Sequence, residues 1–220
     1  MTAWSYSSIK TFDQCPKKYF HLKVVKDVKD TPGEAADYGT AVHLAAEEYI
    51  RNGTPIPDKF AFMRPIVERL EQLPGEKHAE LKLGIRKDFS PCDFFAKDVW
   101  WRGVADLVVV DGHRAWCVDY KTGKNARYAD TKQLDLLAGA LFSHFPEVTT
   151  VKSSLLYVVS GNLIPKKHMV TERSRYLAVF DEQLDRLDAA MENGVWNAKT
   201  SPLCGWCPVT SCEHWKPRRK

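Results

Sequence analysis

Two aspartates and a lysine near the middle of the chain carry the first chemical signal. Asp106 closes the stretch Gly103-Val104-Ala105-Asp106, and Asp119 and Lys121 open Asp119-Tyr120-Lys121-Thr122-Gly123. The residues between them read as a β-hairpin. Gly103–Val110 is rich in β-branched side chains, Asp111-Gly112 is a turn signal, and Arg114–Lys121 returns. A two-residue loop at Asp111-Gly112 sets Asp106 across from Cys117, with Asp119 as its diagonal neighbour. A four-residue loop, Asp111–Arg114, sets Asp106 directly across from Asp119. Either register puts Asp106, Asp119 and Lys121 on one sheet face, because strand side chains alternate with a period of two. Paired hard oxygen ligands suit Mg²⁺ or Mn²⁺. An adjacent ammonium can position a phosphate or the attacking water, and the three groups together suit metal-assisted hydrolysis of a phosphodiester. The competing reading is a solvated hairpin face with a cross-strand ion pair.

Thiols form the second constellation. Cys204, Cys207 and Cys212 crowd the end of the chain, Cys15 lies near its start, and Cys92 and Cys117 sit between. In a reducing compartment such clustering points to a metal site rather than to disulfides. Three thiolates need a fourth ligand, for which Cys15 and His214 are candidates. Four thiolates suit an iron–sulfur cluster, whereas three with His214 suit structural zinc.

The remaining chain supplies elements to hold these groups. A serine at 5, 7 or 8 can cap a first helix through Ile9 and Phe12, and Pro16 forces Cys15 out of helical geometry. Glu34 to Asn52 reads as a helix ended by Gly53, with His43 and Glu47 on one face. Asp58 to Leu73 reads as another, stopped by Pro74-Gly75. Alternation from Glu80 to Ile85 begins a sheet, and the Val99–Lys121 hairpin continues it. Asp130 to Phe145 reads as a helix with Leu134, Leu137, Ala138 and Leu141 as its buried stripe, and Gln133 beside that stripe can look back towards Lys121. Ser153–Val159 and Leu163–Thr171 add strands, and Asp181 to Trp196 a last amphipathic helix through Leu184, Leu187 and Met191. Strands separated by helices imply an α/β fold, a mixed central sheet flanked by helices.

Composition narrows the class. The chain has 220 residues, 44% hydrophobic and 27% charged, with a net charge of +4 that permits a polyanionic partner without demanding one. No apolar leader or membrane-length run is present, so a cytoplasmic protein with no membrane partner is expected.

Taken together, the motifs resemble the RecB-like branch of the PD-(D/E)XK nucleases, particularly its iron–sulfur exonucleases, among them the AddB nuclease domain, CRISPR-associated RecB-like proteins and phage-encoded relatives. Ser5-Tyr6-Ser7-Ser8-Ile9 through Cys15-Pro16-Lys17-Lys18-Tyr19 is similar to the family's N-terminal signature with its first cluster cysteine. Gly39-Thr40-Ala41-Val42-His43 resembles its G-T-x-x-H helix, Gly103–Asp106 its G-x-x-D motif, and Asp119–Gly123 its D-x-K-T-G motif. Gln133 resembles the glutamine of its Q-x-x-x-Y helix, with Leu137 where that tyrosine stands.

The resemblance implies one nuclease domain over 1–220, a restriction-endonuclease-like core with the sheet and active site in 77–172. Segments 1–33 and 197–220 would be joined by a [4Fe-4S] cluster on Cys15, Cys204, Cys207 and Cys212. It implies Mg²⁺ or Mn²⁺ on His43, Asp106, Asp119 and the Tyr120 carbonyl, with Glu47, and after it Glu80, as additional ligands. Asp106, Asp119, Lys121 and Gln133 would serve catalysis. The expected substrate is DNA, single-stranded or with free ends, in end processing, recombination or phage DNA metabolism. Lys17, Lys18, Lys124 and Arg127 flank the motifs and are candidate phosphate contacts. Further copies of the chain, or a helicase or recombination protein, are the expected protein partners, in a bacterial or phage-infected cell.

Overall fold

The computed structural model describes residues 3–30, 33–123, 126–127 and 129–217. The chain divides into two compact units, one from the segments before residue 33 and after residue 179, the other from residues 33–179. Among the described residues no helix is long and apolar enough to cross a membrane.

In the first unit Ser5 caps α1 (Tyr6–Gln14) through a reciprocal pair of hydrogen bonds with Ser8. Cys15 leaves the helix in extended conformation, as a residue before proline does. Pro16 then starts α2 (Pro16–Tyr19), which runs into a π-helical turn at Phe20–Val25. α7 (Asp181–Asn193) ends at Gly194, whose φ of 67° terminates it short of the expected Trp196. Trp196 instead stacks on Tyr19, centroids 6.1 Å apart, and meets Phe12 edge-on. Leu184 and Leu187 of α7 are buried, but Met191 is exposed, so the apolar stripe is narrower than its sequence suggests. Pro202–Trp206 forms a short 3₁₀ turn capped by Ser201.

The second unit opens with α3 (Glu34–Asn52), closed by Gly53 at φ 66°. The helix expected over Asp58–Leu73 is two pieces. A 3₁₀ segment, Asp58–Met63, kinks at Phe60, and α4 (Arg64–Glu71) restarts with Pro65 in its first turn, where proline costs no hydrogen bond. The strands are β1 (Glu76–Ile85), β2 (Pro91–Cys92), β3 (Trp101–Asp111), β4 (Arg114–Lys121), β5 (Thr150–Tyr157) and β6 (Asn162–Met169). They form one sheet in the order β2-β1-β3-β4-β5-β6. Only β4 and β5 pair in parallel, and α5 (Lys132–His144) is their crossover. β1 begins four residues before the expected Glu80, because His78 and Lys77 already pair with β3. α6 (Arg173–Leu177) follows β6.

α5 departs from the stripe its leucines suggested. Every residue from Leu134 to Ser143 is buried, which makes it a core helix rather than a surface one. On the other side, Val42 and Ala46 of α3 pack with Met63 and Val67 against Leu107, Val109, Val118 and Tyr120. Burying each large apolar side chain of this layer contributes about 1.5–3 kcal/mol, which fixes α3 against the strands that carry the aspartates.

The hairpin takes the register in which Val110 pairs Ala115 and Leu107 pairs Val118. Its turn is Gly112-His113 rather than Asp111-Gly112, with Gly112 at φ 56° and Asp111 already paired to Arg114. One further step of this register sets Asp106 across from Asp119.

Candidate metal centre

The ladder between β3 and β4 stops at Leu107 and Val118, and the site begins there. The carboxylate of Asp106 enters the gap: its Oδ2 accepts the Tyr120 backbone N–H at 2.6 Å. Its Oδ1 lies 3.4 Å from His43 Nδ1 of α3. Gly39 lies one turn earlier on α3. A side chain there would begin 3.4 Å from Thr122 Oγ1, just past the end of β4. The His43 ring also meets the Tyr120 ring edge-on at 5.8 Å.

β1 contributes the third group. Glu80 takes φ 50°, a left-handed conformation rare for glutamate, in the middle of a strand. The pairs Ala79–Leu107 and Leu81–Ala105 flank it in unbroken register. The distortion turns one residue without slipping the strand. Ligand atoms of His43, Glu80 and Asp106 all lie within 4.8 Å of one another. Strain of this kind is held where surrounding structure over-determines it, and functional sites are where it collects.

Asp119 and Lys121 complete the cluster. Lys121 Nζ is 2.5 Å from Asp119 Oδ2 and donates to Gln133 Oε1 of α5 at 3.2 Å. The buried Asp119 carboxylate thus has the Lys121 ammonium as its ion-pair partner. Asp119 is 3% exposed and Asp106 9%. Burial and the charge of Asp106 push the Asp119 carboxyl up to about 6, against the opposing pull of Lys121. Burial, then the charges of Asp106 and Glu47, raise Glu80 as well. Burial alone would lower His43, but its hydrogen bond to Asp106 and the surrounding carboxylates carry it above its ordinary value. Each acid here costs its neighbours free energy, the state of a site waiting for positive charge.

A divalent ion fits these residues: hard carboxylate oxygens and one imidazole, with the Asp119–Lys121 pair beside them. Glu80 sits inside the trio, ahead of Glu47, which pairs with Arg51 at 2.9 Å. Arg51 also donates to the Ala79 carbonyl, tying Glu47's helix to the strand residue before Glu80. Period-two alternation gave no sign of the Glu80 twist. The only signal was an acid between alanine and leucine on a strand whose pairing with β3 was unknown. The contact seen from Tyr120 runs through its amide.

The four thiols Cys15, Cys204, Cys207 and Cys212 line one cavity of about 180 Å³ in the first unit, with His214 also on its wall. Backbone N–H groups point at two of the sulfurs, Lys199 N–H to Cys15 at 3.4 Å and Ser201 N–H to Cys204 at 3.3 Å. Of the basic candidates, Lys17 pairs with Glu213, whose carboxyl is thereby held down at about 2. Lys18 reaches Gln14, Arg127 is exposed, and Lys124 lies outside the described residues.

A mixed sheet carrying an acid within one strand and Asp-x-Lys at the end of the next is the arrangement of a nuclease class. The family model of the PD-(D/E)XK nuclease superfamily matches residues 3–96 and 61–212, and the chain belongs to that superfamily. Among solved structures, SSO0001 superposes with a TM-score of 0.51 at 11% identity, over 98% of this chain and 88% of that one. A Eubacterium rectale protein named "putative exonuclease" gives a TM-score of 0.52 at 14% identity, over 98% and 89%. At such identities the likeness concerns the fold. No curated protein matches by sequence.

Proposed function

We propose that the protein is a metal-dependent DNA exonuclease of the RecB-like iron–sulfur kind. The observation that carries the reading is the convergence of His43, Glu80 and Asp106 beside the Asp119–Lys121 ion pair. His43, Glu80, Asp106, Asp119 and the Tyr120 carbonyl would hold Mg²⁺ or Mn²⁺. When bound, such an ion lowers the pKa of a coordinated water and neutralises charge on the phosphate. Lys121, held by Asp119 and Gln133, presents its ammonium to the phosphate oxygens and the attacking water. Tyr120 N–H and His43 fix the Asp106 carboxylate, so the acid need not reorganise during the reaction.

The four cysteines are read as ligands of a [4Fe-4S] cluster with a structural role. Amide groups directed at sulfur stabilise thiolates, as in iron–sulfur sites. The exonuclease name of the E. rectale protein and the motif order support processing of DNA ends, alone or within a helicase or recombination complex.

The test uses anaerobically purified protein with end-labelled linear and closed circular DNA in Mg²⁺ and Mn²⁺. Degradation of linear DNA alone, absent in Lys121→Ala, is expected. Cleavage by Lys121→Ala at the wild-type rate removes the catalytic assignment. Iron and acid-labile sulfide in equal amounts are expected; zinc in a colourless protein removes the cluster.

A further inference from the structure

Beyond β2 the chain lays two aromatic rings on the surface of the second unit. Phe94 and Phe95 meet edge-on with centroids 5.0 Å apart, and Phe95 is 70% exposed, the highest value for a large apolar side chain among the described residues. Two cations lie over them. Lys82 Nζ is 5.7 Å from the Phe95 centroid, and Arg102 Cζ is 5.4 Å from that of Phe94. Neither Lys82 nor Arg102 has a carboxylate partner among the described residues.

The ledge is fixed rather than loose. Asp93 Oδ1 accepts the Phe95 N–H at 2.7 Å. Arg86 donates to the Pro91 carbonyl at 2.7 Å and to Asp98 at 2.6 Å. Gly84 lets the loop lie flat on the sheet, since a side chain there would begin 2.9 Å from the Asp93 carbonyl oxygen. Register gives its position. Lys82 pairs with Val104 and Gly84 with Arg102. Arg102 and Val104 lie on the strand that also carries Asp106, the candidate metal ligand. Along the strand, Val104 is about 7 Å and Arg102 about 13 Å from Asp106.

We propose that this ledge is a subsite for an unpaired nucleotide of the substrate strand, its base stacked on Phe95 and its flanking phosphates met by Lys82 and Arg102. The assignment deepens the nuclease reading and rests on it. An exposed flat ring accepts any base, and unpaired cations beside it match a polyanion, the combination by which single strands are held without sequence preference. A paired base presents no free face to such a ring, so the ledge selects single-stranded ends over blunt duplex.

The experiment measures fluorescence anisotropy with labelled single-stranded and blunt duplex oligonucleotides, without divalent ions. A parallel 2-aminopurine oligonucleotide reports stacking as quenched emission. Phe95→Ala is expected to weaken single-strand binding about 5- to 150-fold and to lose the quenching, with its melting temperature unchanged. Phe95→Trp is expected to keep both, and Lys82→Ala to reduce the salt slope by about one. Wild-type affinity and quenching in Phe95→Ala, or no single-strand binding by the wild type, overturns the subsite. A wild type that binds and quenches but cleaves nothing upholds the ledge and removes the nuclease reading. A wild type that cleaves, with Phe95→Ala unaltered in binding, removes the ledge alone.

Discussion

Two buried polar clusters lie in the same unit, and they are built to opposite ends. Around Asp106, acid faces acid, and Glu80 holds a left-handed backbone. Around Asp135 of α5, every charge has an answer. His168 Nε2 is 2.8 Å from Asp135 Oδ1, and Lys166 Nζ is 2.7 Å from Oδ2. Ser153 Oγ lies 3.2 Å from His168 Nδ1, and the Tyr176 ring closes the edge at 4.7 Å. Serine, histidine and aspartate in sequence suggest a hydrolytic triad, but His168 is 0% exposed and Ser153 2%, so no substrate reaches them. Their carboxylates titrate in opposite directions. Burial acts to raise Asp135, and its bonds to His168 and Lys166 outweigh it, leaving a net lowering, whereas Asp119 is pushed up. A cluster that satisfies itself holds the fold together. A cluster left unsatisfied keeps its capacity for a ligand and lowers stability until one arrives.

Single substitutions should separate the two most sharply. Lys121→Ala is expected to cut cleavage by about 10²–10³-fold or more while the melting temperature holds, read from initial rates beside a thermal melt. His168→Ala should do the reverse. Leaving the buried Asp135 with Lys166 as its remaining partner is expected to cost about 1–3 kcal/mol in denaturant unfolding, with unchanged cleavage per folded molecule. A His168 variant that is stable and inactive would assign the second cluster a chemical role.

Conservative amides sharpen the contrast by sign. In metal-free protein near neutral pH, Asp119→Asn removes a buried charge crowded by Asp106 and is expected to raise stability by about 1–3 kcal/mol. Asp135→Asn breaks an answered charge and should lower it. The pH dependence follows the same logic. The folded pKa of Asp135 lies below its ordinary 3.8, so its stabilisation is complete above the unfolded pKa and is lost as pH falls through the folded one. Urea titrations at stepped acidic pH should show that slope in the wild type and a shallower one in Asp135→Asn.

Legibility in the sequence differs between the clusters for a physical reason. Asp106, Asp119 and Lys121 are joined by a local hairpin, so short-range pairing rules bring them to one place. Of the two loops weighed, Asp111–Arg114 gives the observed register, and the turn itself tightens to Gly112-His113 because Asp111 and Arg114 already pair. His43 and Gln133 were reachable through motif order, because helix caps and apolar periodicity marked α3 and α5 well. Asp135 and His168 are far apart in the chain and meet only once α5 crosses over the sheet. Nothing local distinguishes Asp135 from a surface acid on a helix. α5 itself was read as one-sided because its stripe is clear in leucines, while its other faces mix apolar Leu136 and Phe142 with Asp135, Gly139, Ala140 and Ser143. Glu80 was visible as a residue and invisible as a conformation, since alternation reports which face a side chain takes and not the φ it needs. Phe94 and Phe95 followed a short loop signal and left no period to read.

The smallest expected effect isolates that conformation. Glu80→Ala and Glu80→Gly both remove the carboxylate, so both relieve its repulsion with Asp106 and both lose a candidate metal ligand. They differ only in the backbone. Alanine keeps a Cβ at φ 50°, which costs roughly 1–2 kcal/mol, whereas glycine takes that angle freely. Against this, glycine gives the unfolded chain more freedom, worth about 0.5–1 kcal/mol. The glycine variant should therefore be the more stable by about 1 kcal/mol in denaturant unfolding. Equal stabilities would mean that β1 relaxes to an ordinary strand once the acid is gone, and that the carboxylate itself, drawn towards His43, holds the twist. A clear advantage for glycine would mean that the flanking pairs with β3 impose the twist and offer Glu80 to the site before any ligand is bound.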